Sequence, residues 1–193
     1  RDPLLPAQLG VEGDSLEGYL FPETYRFPHG MAAADLARAM VGQFRRVWDE
    51  LAPLARERGL PMREVVILAS LIEKETGAPN ERPLIASVFL NRLRIGMRLE
   101  TDPSVIYGIP DFDGNLRRRD LENGENPYNT YRISGLPPGP IANPGAASLR
   151  AVVDPARTEY LYFVSRNDGS HTFSKTYAEH LAAVNRFQRA GGS

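Results

Sequence analysis

Cysteine is absent from the chain, which excludes disulfides, thiolate zinc sites and thiol nucleophiles. No apolar run approaches the roughly 20 residues that a membrane-spanning helix needs. Net charge is almost nil: 23 basic against 24 acidic residues leave −1, so no global field draws nucleic acid to the surface. The three histidines, His29, His171 and His180, form neither H-x-H nor H-E-x-x-H, which points away from a metal site. A G-x-S-x-G nucleophile elbow and a phosphate-binding loop are missing as well. The chain opens "RDPLLPAQLG" with neither a Met nor a signal peptide, and the expectation is a segment cut from a longer protein.

What is present suits one domain with a substantial core, or one domain and a small appendage. Apolar residues make up 42% of the 193, an ordinary globular share. Sixteen prolines and seventeen glycines gather in a few stretches, which suggests shaped loops on a scaffold. Residues 15–30 read as strand or extended loop. Residues 31–59 are helical: Leu36, Met40, Phe44, Val47 and Leu51 recur every three or four positions, and Gly59 is a natural stop. Pro53 is expected to break this segment into a long and a short helix. Residues 60–77 form the strongest helix, with Pro61 at its start and Gly77 at its end. Residues 81–93 form another buried helix.

Residues 94–145 are long, turn-rich and aromatic, with few signals of regular structure; such a segment inside a compact domain is usually functional. A short helix over 146–155 follows. The hairpin over 159–175 turns at Asn167-Asp168-Gly169, and a last helix spans 176–190 behind a Thr176/Glu179 capping box. The fold class is α+β, mostly helical in the first half.

The stretch "LASLIEKETGAPNERP" ends one of the most apolar runs in two glutamates, Glu73 and Glu75. At about 100° per residue, Val65, Leu68, Ala69, Leu71 and Ile72 share one side of the helix. Glu75 extends that side by one turn, whereas Glu73 lies on the flank. A partly buried carboxyl is pushed toward its neutral form, and the negative end of the helix dipole pushes the same way. Glu75 therefore reads as a general acid. A solvated helix end, with Lys74 as local partner, accounts for the pattern equally well.

Asp102, in "ETDPSVIYG", is either a turn-capping residue or the second carboxylate of a glycosidase pair. Tyr107, Tyr128, Asn129, Thr130 and Tyr131 offer rings that stack on sugars and an amide that bonds hydroxyls; they are also normal contents of a loop packed on a core. The basic runs "RLRIGMR" and "LRRRD" read as solvated surface or as contacts to an acidic polymer or headgroups, the second run as solvated surface. The residues alone thus reach a glutamate acid beside an aromatic, loop-lined cleft. That fits a glycosidic-bond enzyme and, nearly as well, a carbohydrate-binding module.

The segments "LEGYLFPETYRF", "LASLIEKETG", "VFLNRLRIGMRLETDPSVIYG", "NPYNTYRISGLPPGPIANPG" and "YLYFVSRNDGSHTF" resemble, in this order, the endolytic murein transglycosylases of the YceG-like family. The likeness runs from about Leu16 to Phe187. It implies an α+β fold: a helical core with a lysozyme-like catalytic helix, a small antiparallel hairpin and long cleft-lining loops. Residues 1–14 would be the remnant of a linker or LysM-like region, and 15–190 the catalytic domain. The implied activity is cleavage of peptidoglycan strands between N-acetylmuramic acid and N-acetylglucosamine without water, leaving 1,6-anhydro ends.

Related transglycosylases end a helix in Glu-Ser with the Glu as sole acid and base. Here Glu75-Thr76 stands at that point, so the resemblance implies Glu75 as the catalytic residue, with Glu73 as alternative. Thr76, Asp102, Tyr107, Tyr128, Asn129 and Tyr131 are the substrate-binding candidates. No cofactor or metal is expected. The expected partners are glycan strands and peptidoglycan synthases, not nucleic acid. The full-length protein is expected in the bacterial envelope, anchored in the inner membrane with this domain on the outer side.

Overall fold

A computed structural model describes residues 5–76 and 78–189. Gly77, expected to end the strongest helix, lies outside the described residues. The elements begin with a short helix α1 (Leu5–Gln8), then α2 (Ala33–Glu57), α3 (Met62–Glu75), a 3₁₀ turn (Pro79–Glu81) and α4 (Arg82–Arg94). Next come α5 (Asp102–Tyr107), α6 (Arg118–Glu122), α7 (Ala146–Val153), strands β1 (Tyr162–Ser165) and β2 (His171–Ser174), and α8 (Tyr177–Val184), which runs into a π-helical turn (Asn185–Arg189).

The centre of the molecule is α3. Eight consecutive residues, Val65 to Ile72, are buried, so this helix is enclosed on all sides rather than along one stripe. Around it pack α2, α4, α5 and α7, with α7 against α2, α3 and α4 alike. Phe44, Leu51, Leu68, Ile72, Phe89 and Leu149 fill the shared core. Val11 joins it, docking the start of the described chain on the same body.

Pro53 does not break α2, contrary to the sequence expectation: the helix is continuous through it. A proline forfeits one backbone hydrogen bond, but Leu51 and Ala55 on either side are each about fully buried and hold the axis. The stop at Gly59 is as expected. Gly59 takes φ 66°, its N–H donates to Arg56 O at 3.0 Å and that of Leu60 to Ala55 O at 3.0 Å. These two bonds make a Schellman motif.

Residues 15–30 form no strand; among the described residues the strands are those of the hairpin. Their register pairs Tyr162 with Ser174 and Ser165 with His171. The segment 94–145 carries more helix than expected, because α5 and α6 lie within it. Its irregular parts are held by asparagine amides in place of ladder bonds. Asn143 Oδ1 accepts from the N–H groups of Gly18 and Leu20 at 2.8 and 3.1 Å. Asn126 Nδ2 donates to Val105 O at 3.0 Å. The basic runs differ from each other. Arg118 and Arg119 are exposed, as expected. Arg92 is buried, and its guanidinium donates to Leu161 O at 2.6 Å and Leu99 O at 2.7 Å.

Candidate active site

The two glutamates at the end of α3 face different partners. Glu73 turns toward α7. Its Oε2 accepts from Gly145 N, the residue that caps α7, at 3.1 Å and from Ser148 Oγ at 2.7 Å. Arg82 lies 3.8 Å from its other oxygen and donates to Ser148 Oγ at 3.1 Å. A carboxylate at the positive end of a helix is well placed electrostatically. Glu73 thus ties α3 to α7 and α4.

Glu75, the last residue of α3, turns toward the loop side. Its Oε1 accepts a hydrogen bond from the Thr101 hydroxyl. Burial pushes its pKa from 4.5 up to about 7. The Thr101 bond lowers it, the charge of Asp102 raises it, and His171 and Arg92 lower it. Desolvation wins, so near neutrality much of this carboxyl carries its proton.

Thr101 is fully buried, and its position has a local cause. Glu100, just before it, adopts φ 50°, the left-handed region that non-glycine residues seldom occupy. Glu100 N donates to Thr130 O at 3.2 Å, and Thr101 N to Thr130 Oγ1 at 2.9 Å. Ser104 Oγ bonds Thr101 O at 2.8 Å and meets Thr130 Oγ1 at 2.9 Å. This buried hydroxyl cluster clamps the start of α5 and aims Thr101 at Glu75. Sequence reading missed Thr101. Its only signal was adjacency to the Asp102-Pro103 pair, which pulled attention one residue too far.

The substrate-binding candidates divide into three places. Asp102 and Tyr131 stand on the Glu75 side, where Tyr131 OH donates to Asp102 Oδ1 at 2.7 Å. Burial and the neighbouring Asp102 and Glu75 carboxyls raise the Tyr131 pKa, so it is a donor at any physiological pH. Thr76 is buried directly after Glu75, and its Oγ1 accepts from Ala78 N at 2.9 Å.

Asn129 is not available as a sugar ligand, contrary to the sequence expectation. It is fully buried, its Nδ2 donates to Asp120, Leu121 and Asn123 carbonyls at 3.2, 3.1 and 2.7 Å, and its Oδ1 accepts from Tyr131 N at 3.0 Å. Both amide protons are spent on the loop.

Tyr107 and Tyr128 are paired with ring centroids 4.7 Å apart. They line a cavity of about 250 Å³ with Glu17, Arg63, Pro138 and Pro140. Along α3 the backbones of Arg63 and Glu75 are about 18 Å apart at 1.5 Å per residue, whereas Tyr107 ends α5, about 8 Å along that helix from Asp102. In this cavity Tyr107 OH donates to Glu17 Oε2 at 2.5 Å.

The arrangement on the loop side has a carboxyl with its pKa raised to about 7 at the end of α3, the buried Thr101 hydroxyl bonded to it, and the charge of a second carboxyl, Asp102, acting on it. It can protonate a leaving oxygen near neutral pH and then take a proton back.

The model of the YceG-like family matches residues 4–186. The chain is 39% identical over 173 residues to an endolytic murein transglycosylase of Bacillus subtilis, covering 89% of this chain and 48% of that one. It is 31% identical over 154 residues to an endolytic murein transglycosylase of Streptococcus pneumoniae, covering 78% of this chain and 28% of that one. A crystal structure of a putative YceG-like protein from Listeria monocytogenes superposes with a TM-score of 0.83 at 34% identity, covering 94% of this chain and 63% of that one. The chain thus spans about half the length, or less, of the curated relatives it matches.

Proposed function

The chain belongs to the YceG-like family, and from that premise we propose that it is the catalytic part of a peptidoglycan lytic transglycosylase with Glu75 as its single acid and base. The observation that carries this is the Glu75 carboxyl itself: its pKa is raised to about 7 by burial, and its Oε1 is bonded by Thr101 at the end of the enclosed helix. The relatives named endolytic murein transglycosylases support the substrate class.

Protonated Glu75 gives its proton to the glycosidic oxygen as the bond to C1 of N-acetylmuramic acid breaks. An oxocarbenium-like centre forms at C1. The C6 hydroxyl of the same sugar then attacks C1, and its proton goes to the Glu75 carboxylate. The acid is regenerated and a 1,6-anhydro end remains, with no water consumed. The Asp102 carboxylate and the substrate's own acetamido oxygen are the groups on hand to stabilise the cation. Tyr131 steadies Asp102 through its 2.7 Å hydrogen bond. Loops that keep water out favour ring closure over hydrolysis.

In the whole protein, this reading takes residues 15–190 as the catalytic domain and residues 1–14 as the remnant of a linker or LysM-like region, with Val11 docked on the catalytic core. The domain would face the outer side of a membrane-anchored protein and act beside peptidoglycan synthases, terminating nascent strands. Peptidoglycan digestion followed by mass analysis of the fragments tests the chemistry. Anhydro ends that vanish in Glu75→Gln support it. Reducing ends would instead mean a hydrolase using Asp102 as second carboxylate. Tight glycan binding without cleavage would mean a binding module.

A further inference from the structure

A second carboxyl, Glu81, is buried close behind Glu75, and the chemistry above does not use it. It is 7% exposed and ends the 3₁₀ turn before α4. Its Oε1 accepts from the main-chain N–H of His171 at 2.8 Å. Its Oε2 lies 2.6 Å from His171 Nδ1 and accepts from Thr76 Oγ1 at 3.5 Å. One carboxyl therefore joins the residue after Glu75, the start of α4 and the first residue of β2. A buried carboxylate costs several kcal/mol unless its oxygens are well partnered, so this arrangement invites a reason.

Anchoring the hairpin is not a sufficient reason. The strand approach is already held by α4. Asn91 Nδ2 donates to the carbonyls of Thr158 and Tyr160 at 3.0 Å each, and Arg92 Nε to that of Leu161 at 2.6 Å. Phe163 also packs edge-on against Phe89 with centroids 6.1 Å apart. What the Glu81 contacts add is different. They tie Thr76, the residue after Glu75, to the first residue of β2, whose imidazole charge acts on Glu75.

We propose that His171, gripped by Glu81, is a positioning residue for Glu75: the pair ties Thr76, the next residue in the chain, to β2 and holds the imidazole on the Glu75 side. The proposal rests on the reading of Glu75 as the acid. A hydrogen bond from one ring nitrogen to a carboxylate fixes both the tilt and the protonation site of the ring. The charged groups acting on Glu75 then oppose one another across the site. Asp102, from α5, favours the protonated form; Arg92 from α4 and His171 from β2 favour the carboxylate. Arg92 is itself faced by Glu100 at 3.5 Å, and His171 by Glu81. Such a balance suits a group that must both release a proton and recover one.

The test uses His171→Gln, Glu81→Gln and Thr76→Val, with the Glu75 carboxyl followed by carbon-13 NMR in labelled protein and assigned by its loss in Glu75→Gln. In His171→Gln the titration midpoint of Glu75 rises by about half a pH unit or more, since a group that favours the carboxylate has gone. The alkaline limb of anhydro-end formation moves up with it. Turnover falls about tenfold, with KM within about twofold, as expected when an interaction made mainly in the transition state is lost.

Thr76→Val leaves the His171–Glu81 pair intact and removes the two bonds of Thr76 Oγ1, to Glu81 and from Ala78 N. There turnover falls while the midpoint stays. An unmoved midpoint in His171→Gln overturns the proposal. So does a loss of turnover that only tracks the fraction unfolded. Should His171→Gln not fold, Glu81→Gln is read by the same midpoint, and no shift overturns it. A parent protein without anhydro-forming activity sinks the catalytic reading, whereas a midpoint shift in that protein still supports the positioning.

Discussion

Two regions meet at the end of α3, only two residues apart, and they treat a carboxyl in opposite ways. On the α7 side Glu73 receives a main-chain N–H, a serine hydroxyl and a distant guanidinium. On the loop side the partly buried Glu75 receives one threonine hydroxyl, and desolvation raises its pKa. The first setting builds a joint between helices. The second builds an acid. The difference lies in the number and kind of donors each flank supplies, not in the glutamates or their helix.

Glu75→Gln should have the largest effect on activity, a drop of about 10²- to 10⁴-fold, the usual worth of a general acid–base group. Anhydro-ended muropeptides quantified by mass spectrometry check it. The same variant should also sharpen the comparison through stability. A carboxyl whose folded pKa lies above its unfolded value stabilises below the unfolded value, near 4.5, and loses that contribution as pH rises through about 7. At pH 8 the parent carries a buried charge that glutamine lacks. Glu75→Gln should then gain up to about 3 kcal/mol relative to the parent, against little change at pH 4, with thermal melting at the two pH values as the measurement.

Glu73→Ala is expected to act on the fold. It strips the acceptor from Gly145 N–H and Ser148, at a cost of about 1–3 kcal/mol, while the folded fraction still cuts. Activity lost in step with Glu75→Gln at full foldedness would break the comparison and move the acid to Glu73. Thr101→Val comes next. It removes the bond that lowers the Glu75 pKa, so the alkaline limb of the activity profile should shift upward and the rate fall by about tenfold. A downward shift of that limb would contradict the sign.

Tyr107→Phe should have the smallest effect. It deletes a hydroxyl at the end of α5 that is bonded to Glu17 rather than to Glu75, and cleavage of short fragments should stay within about twofold. A larger loss would mean that the Tyr107–Tyr128 cavity takes part in each cut.

Much of the frame was legible in the sequence. The three- and four-residue spacing of apolar side chains gave α2, α3 and α4, and the Thr176/Glu179 capping box is formed as expected, with Glu179 N donating to Thr176 Oγ1 at 3.3 Å. Helical period also separated Glu75 from Glu73 and gave Glu75 the apolar flank. The loop was less legible. Tyr128, Asn129 and Tyr131 lie within four positions of one another, yet they go to the cavity shared with Tyr107, the interior of the loop and the Glu75 side. Side chains in irregular backbone follow no period that would sort them. Pro53 misled because burial on both sides outweighs one missing hydrogen bond.

By itself, then, the sequence determined the longer helices, the hairpin and the family, and it favoured Glu75 over Glu73 without excluding a solvated helix end. All of these follow from local spacing and from long motifs read along the chain. Only the tertiary structure decided what surrounds that glutamate. Thr101 reaches it across 26 residues of chain, and His171 meets Glu81 across 90. A carboxyl's proton affinity depends on distance and desolvation in space, and no spacing in sequence encodes which distant hydroxyl, imidazole or charge will come to rest beside it.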